Sequence, residues 1–192
     1  MISKKSASQT HSALKEWPAA INALSRGETI LLFRKGGIQE QGSRFVLPTQ
    51  EAILFPSFEH QKTEMLKNPS SEDVPLNAYT VGHKISLRSW VHFRRTWEIT
   101  SPALIDALTP FYIWTKEFIY NRYNWKPERP LILLACQTFN FQTPRFQTFS
   151  SQYRGCKSWV TLDHSHSLNP SIPAIEPSRF EEQVKEIDQM FH

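Results

Sequence analysis

Only two cysteines occur in the chain, Cys136 and Cys156. Two thiols are too few to make a metal site by themselves or the paired framework of a small secreted protein, so both are read as reduced and mostly buried. No run of about 18 apolar residues exists. Residues 1–10 are polar, with two lysines and no apolar centre, which reads as neither a signal peptide nor a membrane anchor. The expected location is the cytoplasm, with no membrane partner. Several catalytic signatures are missing as well. There is no G-x-x-x-x-G-K-[ST] loop, no G-x-S-x-G elbow and no dinucleotide fingerprint, so no cofactor is implied. A restriction-type nuclease needs an Asp followed by a Glu-x-Lys pair to hold a divalent cation and orient water. No acid stands two residues before any lysine, and Asp73, Asp106, Asp163 and Asp188 form no strand-end cluster.

What is present is aromatic and mildly basic. Thirteen Phe and six Trp imply an aromatic core with rings left over for a surface, and 22 basic against 18 acidic residues give a charge of +4. That balance permits contact with nucleic acid without requiring it. A length of 192 residues suits one domain with a sizeable core. The expectation is a disordered terminus over 1–11 and a single domain over 12–192.

The most readable stretch runs from Gly27 to Gly37. Ile30 to Phe33 reads as a buried strand delivering Arg34 and Lys35 to a surface, and Gly36-Gly37 offers a backbone able to take positive φ or admit a close ligand. Before it, Leu14, Trp17, Ile21 and Leu24 repeat at helical spacing, so a helix is expected over 12–26 with Ser12 as N-cap. After it come short strands at 45–47 and 52–55, a short helix at 58–67 and a loop at 68–77. Residues 79–99 read as several strands. Helices are expected after Ser101 and after Pro110. A central strand at 131–139 continues towards Phe141 and stops at Pro144. A turn at Gly155 leads to the last strand, an irregular stretch follows, and an amphipathic helix closes the chain.

Joined in order, Ala13-Leu-Lys-Glu-Trp17, Leu32-Phe-Arg-Lys-Gly-Gly-Ile38, Phe55-Pro-Ser-Phe-Glu-His-Gln61 and Gly155-Cys-Lys-Ser-Trp159 resemble DUF1802, a bacterial, largely cyanobacterial family of unknown function. The succession of helix, Gly, apolar strand and Arg is similar to the start of PUA-like domains of the ASCH and EVE type. Gly27 and Arg34 match the ASCH pattern, whereas Thr29 stands where its lysine would be and Leu32 where its acid would be. That resemblance implies a compact barrel that binds RNA or a modified base. The expected fold is therefore α+β, a PUA-like β-barrel or strongly curved mixed sheet with flanking helices.

Several constellations bear on function. Arg34, Lys35, Gly36 and Gly37 suit a phosphate, or else an ordinary hairpin with solvated charges. Trp90, Trp97, Trp114, Trp125 and Trp159, with Tyr112, Tyr120 and Tyr123 and the interleaved Arg88, Arg94, Arg95 and Arg122, suit base stacking, or else a core. Trp159, two residues after Lys157, is the ring expected to be exposed. Glu59-His60 is an acid/base pair or a helix cap, and His164 and His166 are metal ligands or solvated loop residues. Together these predict a non-enzymatic binder of RNA or of single-stranded or modified DNA. Its site is Arg34, Lys35, Gly36, Gly37, Lys157 and Trp159, rimmed by Arg122, Glu59 and His60, with no metal. The alternatives are a metal-dependent nuclease or other nucleic-acid hydrolase built on Glu59 and His60, and a protein-interaction module.

Overall fold

A computed structural model describes residues 9–35, 47–57, 62–69, 79–155 and 157–192. Seven strands make one mixed sheet among them. They are β1 (Gln9–Glu16), β2 (Leu31–Arg34), β3 (Glu51–Pro56), β4 (Lys84–Ile99), β5 (Leu131–Thr148), β6 (Trp159–Ser167) and β7 (Ser171–Pro173). The order is β2-β5-β4-β3-β1-β6, with β7 paired to β5, and among the described residues the sheet does not close. Four helices flank it: α1 (Pro18–Arg26), α2 (Pro102–Ala107), α3 (Lys116–Asn124) and α4 (Pro177–Gln189). Of the two forms expected, a barrel or a strongly curved mixed sheet, the mixed sheet is therefore the one found. No helix among the described residues is long and apolar enough to cross a membrane.

Alternation along the strands sends side chains to two cores. Leu14, Ala52 and Leu54 join the helices on one face, with Phe180 and Ile187 of α4. Ala13, Ile53 and Phe55 point the other way, onto Trp90, Tyr153 and Val160. Burial on both faces is why β3 reads as an unbroken apolar run. β1 and β3 form the parallel pair among the described strands, with Ala13 opposite Ile53, and the other side of β1 pairs antiparallel with β6.

The single helix expected over 12–26 is two elements. Pro18 drives the residue before it out of the helical region, and Trp17 sits extended at φ −64 and ψ 140. Residues up to Glu16 therefore pair as a strand, and Gln9 to His11, expected to fray, belong to it. The helix begins only at Pro18. Glycine 27 ends it at φ 70, with the Gly27 N–H donating to the Leu24 carbonyl and the Glu28 N–H to that of Ala23, as a left-handed C-terminal cap requires.

Other differences have equally local causes. The separate strands expected over 79–99 are one strand, β4, kinked by bulges at 87/89 and 93/95, while Val81 lies outside it in a turn. β5 does not stop at Pro144, because that proline falls opposite the first bulge, where the ladder needs no N–H. The helix expected from Pro110 is a 3-10 turn (Thr109–Phe111), and α3 starts later, where the Phe118 N–H donates to the Thr115 hydroxyl. Past Trp159, His164 and His166 are part of β6 rather than of an irregular stretch, and β6 is not the last strand. The strand expected at 45–47 and the start of the helix at 58–67 lie outside the described residues, except for Leu47 and a short 3-10 turn (Thr63–Met65).

Candidate functional site

The site begins where two strands end. Glu16 is the last residue of β1 and Arg34 the last of β2, and three other strands separate β1 and β2 in the sheet. Arg34 nevertheless reaches across. Its Nη2 lies 2.6 Å from Glu16 Oε1, with each side chain about 10% exposed, and also donates to the Lys15 carbonyl at 3.0 Å. The Trp17 N–H donates to the other carboxylate oxygen, Oε2, at 3.0 Å. Antiparallel pairing of Arg34 with Ile132 of β5 fixes the arginine's starting point, and parallel pairing of Glu16 with Pro56 fixes the acid's.

Helix α3 supplies the next layer. Arg122 lies over the Phe118 ring at 5.5 Å, a favourable cation–π placement, and Phe118 packs on Trp17 with centroids 5.2 Å apart. Phe33 and Trp114 meet edge to face at 5.9 Å below. Lys157 and Ser158 complete the rim ahead of β6, where the Lys15 N–H donates to the Ser158 carbonyl at 2.8 Å. These residues enclose a cavity of about 150 Å³, a volume that admits a group of roughly benzene size.

Its electrostatics are lopsided. Arg34, Arg122 and Lys157 line the cavity together with a single carboxylate, Glu16. The fourth cation there, Lys15, is buried and donates through Nζ to the carbonyls of Tyr153 and Gly155. Burial holds Arg122 below the usual guanidinium range, nearby Arg34 pushes the same way, and Glu16 opposes both. The Nε–H groups of Arg34 and Arg122 are buried with no acceptor among the described residues. Such a charge set suits an anion, and the aromatic wall suits a flat or sugar-bearing neighbour of that anion.

The residues expected at the site thus divide. Arg34, Arg122 and Lys157, far apart in sequence, meet in the cavity. Lys35 turns away from it. It is buried, donates through Nζ to the Tyr123 carbonyl in the last turn of α3 and lies 5.5 Å from the Tyr123 ring. Burial lowers its pKa, with Glu128 opposing and Arg122 reinforcing. Trp159, expected to be exposed, is half-buried and meets Phe93 edge to face at 5.8 Å, outside the cavity. Gly36, Gly37, Glu59, His60 and Cys156 lie outside the described residues.

Most of the remaining rings and cations are architecture. Trp90, Trp97 and Trp114 are buried, Arg94 pairs with Glu181 and Arg95 with Asp188 on α4, and only Trp125 among the tryptophans is markedly exposed, at 54%. Burial pushes the Cys136 thiol far up, so it is no nucleophile at neutral pH. No group of three or more His, Cys, Asp or Glu side chains among the described residues is placed to hold a metal ion. Glu16, Trp17 and Phe118 went unrecognised from sequence. The Trp17-Pro18 pair is the signal the sequence offers, since a residue before proline is driven out of the helical region and so leaves the stripe.

Two crystal structures of point mutants of ZmASCH from Zymomonas mobilis are similar to this chain, each at a TM-score of 0.47. Identity is 8% and 9%, over 91% of this chain and 94% and 96% of theirs. No curated protein matches the sequence. A domain of unknown function, DUF1802, matches residues 13–186, so nearly the whole chain is accounted for, and the protein belongs to that family.

Proposed function

We propose that this protein is a non-enzymatic nucleic-acid-binding module of the cytoplasm, acting as a single domain on RNA or on single-stranded or modified DNA. One observation carries the reading: two guanidiniums, Arg34 and Arg122, line a cavity with a single carboxylate, Glu16, which pairs with Arg34, and the cavity is walled by Trp17 and Phe118 and rimmed by Lys157. Phosphate oxygens accept from the cations, and the rings take the adjoining sugar or base face, where stacking contributes roughly 1 to 3 kcal/mol per base. Trp17 and Phe118 carry the stacking role, since they line the cavity and Trp159 does not.

The test is titration of the purified protein against fluorescent single-stranded RNA, single-stranded DNA and duplex DNA at two salt concentrations, with and without Mg²⁺. Binding that weakens with salt and leaves the oligonucleotide intact is expected. Loss of one phosphate contact in Lys157→Ala lowers the salt slope by roughly 0.7 for a single strand. No binding, or unchanged binding by Lys157→Ala and Arg122→Ala, refutes the assignment, and Mg²⁺-dependent cleavage replaces it with a nuclease.

A further inference from the structure

Arg34 is recessed in the cavity. The arginine is 9% exposed and forms the floor with Phe33 and Trp114, 5% and 4% exposed, while Lys157 stands open at the rim. An internal phosphodiester carries chain on two sides and lies along a groove. A terminal phosphate monoester carries it on one side, so its free oxygens reach a recessed guanidinium with less of the chain following them in.

The charge balance favours the same group. Three cations, Arg34, Arg122 and Lys157, face one carboxylate, Glu16, which leaves two positive charges over, and the buried Lys15 adds to the field. A phosphate monoester carries about −1.5 to −2 near neutral pH, whereas a diester carries a single negative charge. Guanidinium forks match the oxygens of a phosphate in pairs, and neither Arg34 nor Arg122 has an acceptor for its Nε–H among the described residues. A dianion between them also relieves their mutual repulsion.

We infer that the cavity reads the phosphate-monoester end of a single-stranded nucleic acid. The inference rests on the nucleic-acid reading above and narrows it to strand ends. The shared chemistry is a terminal phosphate, and a 5′ or a 3′ phosphate supplies it equally well in charge.

The experiment compares one single-stranded RNA sequence in three forms, with a 5′ phosphate, with a 3′ phosphate, and with hydroxyls at both ends, by fluorescence anisotropy at fixed salt. At least one phosphorylated form is expected to bind about tenfold more tightly than the hydroxyl form. Lys157→Gln, at an exposed position, removes that preference, as does Arg122→Gln, whereas Arg88→Ala, an exposed cation outside the cavity, retains it. As a readout independent of oligonucleotides, inorganic phosphate raises the thermal midpoint of the parent and not that of Lys157→Gln. Equal affinity for all three forms overturns end reading and leaves nucleic-acid binding standing. Binding of none of them overturns both.

Discussion

Replacing Glu16 with Gln keeps the size of the side chain and an amide oxygen to accept the Trp17 N–H, removes the charge facing Arg34 and turns the oxygen that accepted from it into an NH2 donor. The pair is short, 2.6 Å, and both side chains are about 10% exposed, so the substitution strands a buried guanidinium next to Arg122 rather than breaking a surface contact. Breaking a buried pair from one side costs about 3 to 5 kcal/mol, and slight solvent access places this one near the lower end. In a chain of this size each kcal/mol moves the thermal midpoint by roughly 2 to 4 °C, so Glu16→Gln should melt about 6 to 12 °C below the parent. Calorimetry or circular-dichroism melts read the shift directly, and a second variant, Glu16→Gln with Arg34→Met, should recover part of it by removing the orphaned charge. Added phosphate should also stabilise the single variant more than the parent, because an anion takes the carboxylate's place. A shift within about 1 °C, or one that phosphate leaves untouched, would refute the reasoning that this carboxylate is all that balances the cavity.

Two further substitutions probe the frame around the site. Gly27→Ala puts a methyl 2.1 Å from Ile175 Cγ2 and 3.2 Å from the Ala174 carbonyl at φ +70, and should cost about 2 to 3 kcal/mol in denaturant unfolding. Adding Ile175→Ala should return the steric part and not the backbone part; full recovery would show that the positive φ costs nothing. At His166 the pH dependence has a defined sign. Burial first, then Arg145, His164 and His11, lower its pKa below the ordinary 6.5, so the folded state prefers the neutral ring and the unfolded chain takes up the proton first as pH falls. Stability should therefore be unaffected above that value and decline below it, by more in the parent than in His166→Gln, when unfolding free energies are compared from about pH 7.5 to about pH 5.5. Parallel pH profiles for the two proteins would contradict this.

The parts legible in the sequence are those decided by near neighbours. β2 and β3 announced themselves as apolar runs because both their faces are buried, and the stripe through Phe180, Val184 and Ile187 marked α4. The stripe through Leu14 and Trp17 misled because its 3.6-residue spacing coincides with a strand followed by a helix, and the Trp17-Pro18 junction outweighed the periodicity. At the site, Arg34, Arg122 and Lys157 could be picked out as cations of interest. Their meeting could not, since it depends on Arg34 crossing from β2 to β1 and on α3 lying over the gap. Trp159 and Trp17 are both half-buried, each against a phenylalanine, Phe93 and Phe118; which of them lines the cavity is set by packing remote in sequence.

The place of β1 between β3 and β6 sets an order of assembly. One neighbour of β1 follows it soon in the chain and the other comes much later; His11 and Leu162, in contact across that seam, are 151 residues apart. Closing so long a loop comes late and slowly. Until then the segment holding Glu16 and Trp17 waits with an open side. Lys157 and Ser158 arrive just ahead of β6, so the cavity is unfinished until that strand has inserted beside β1.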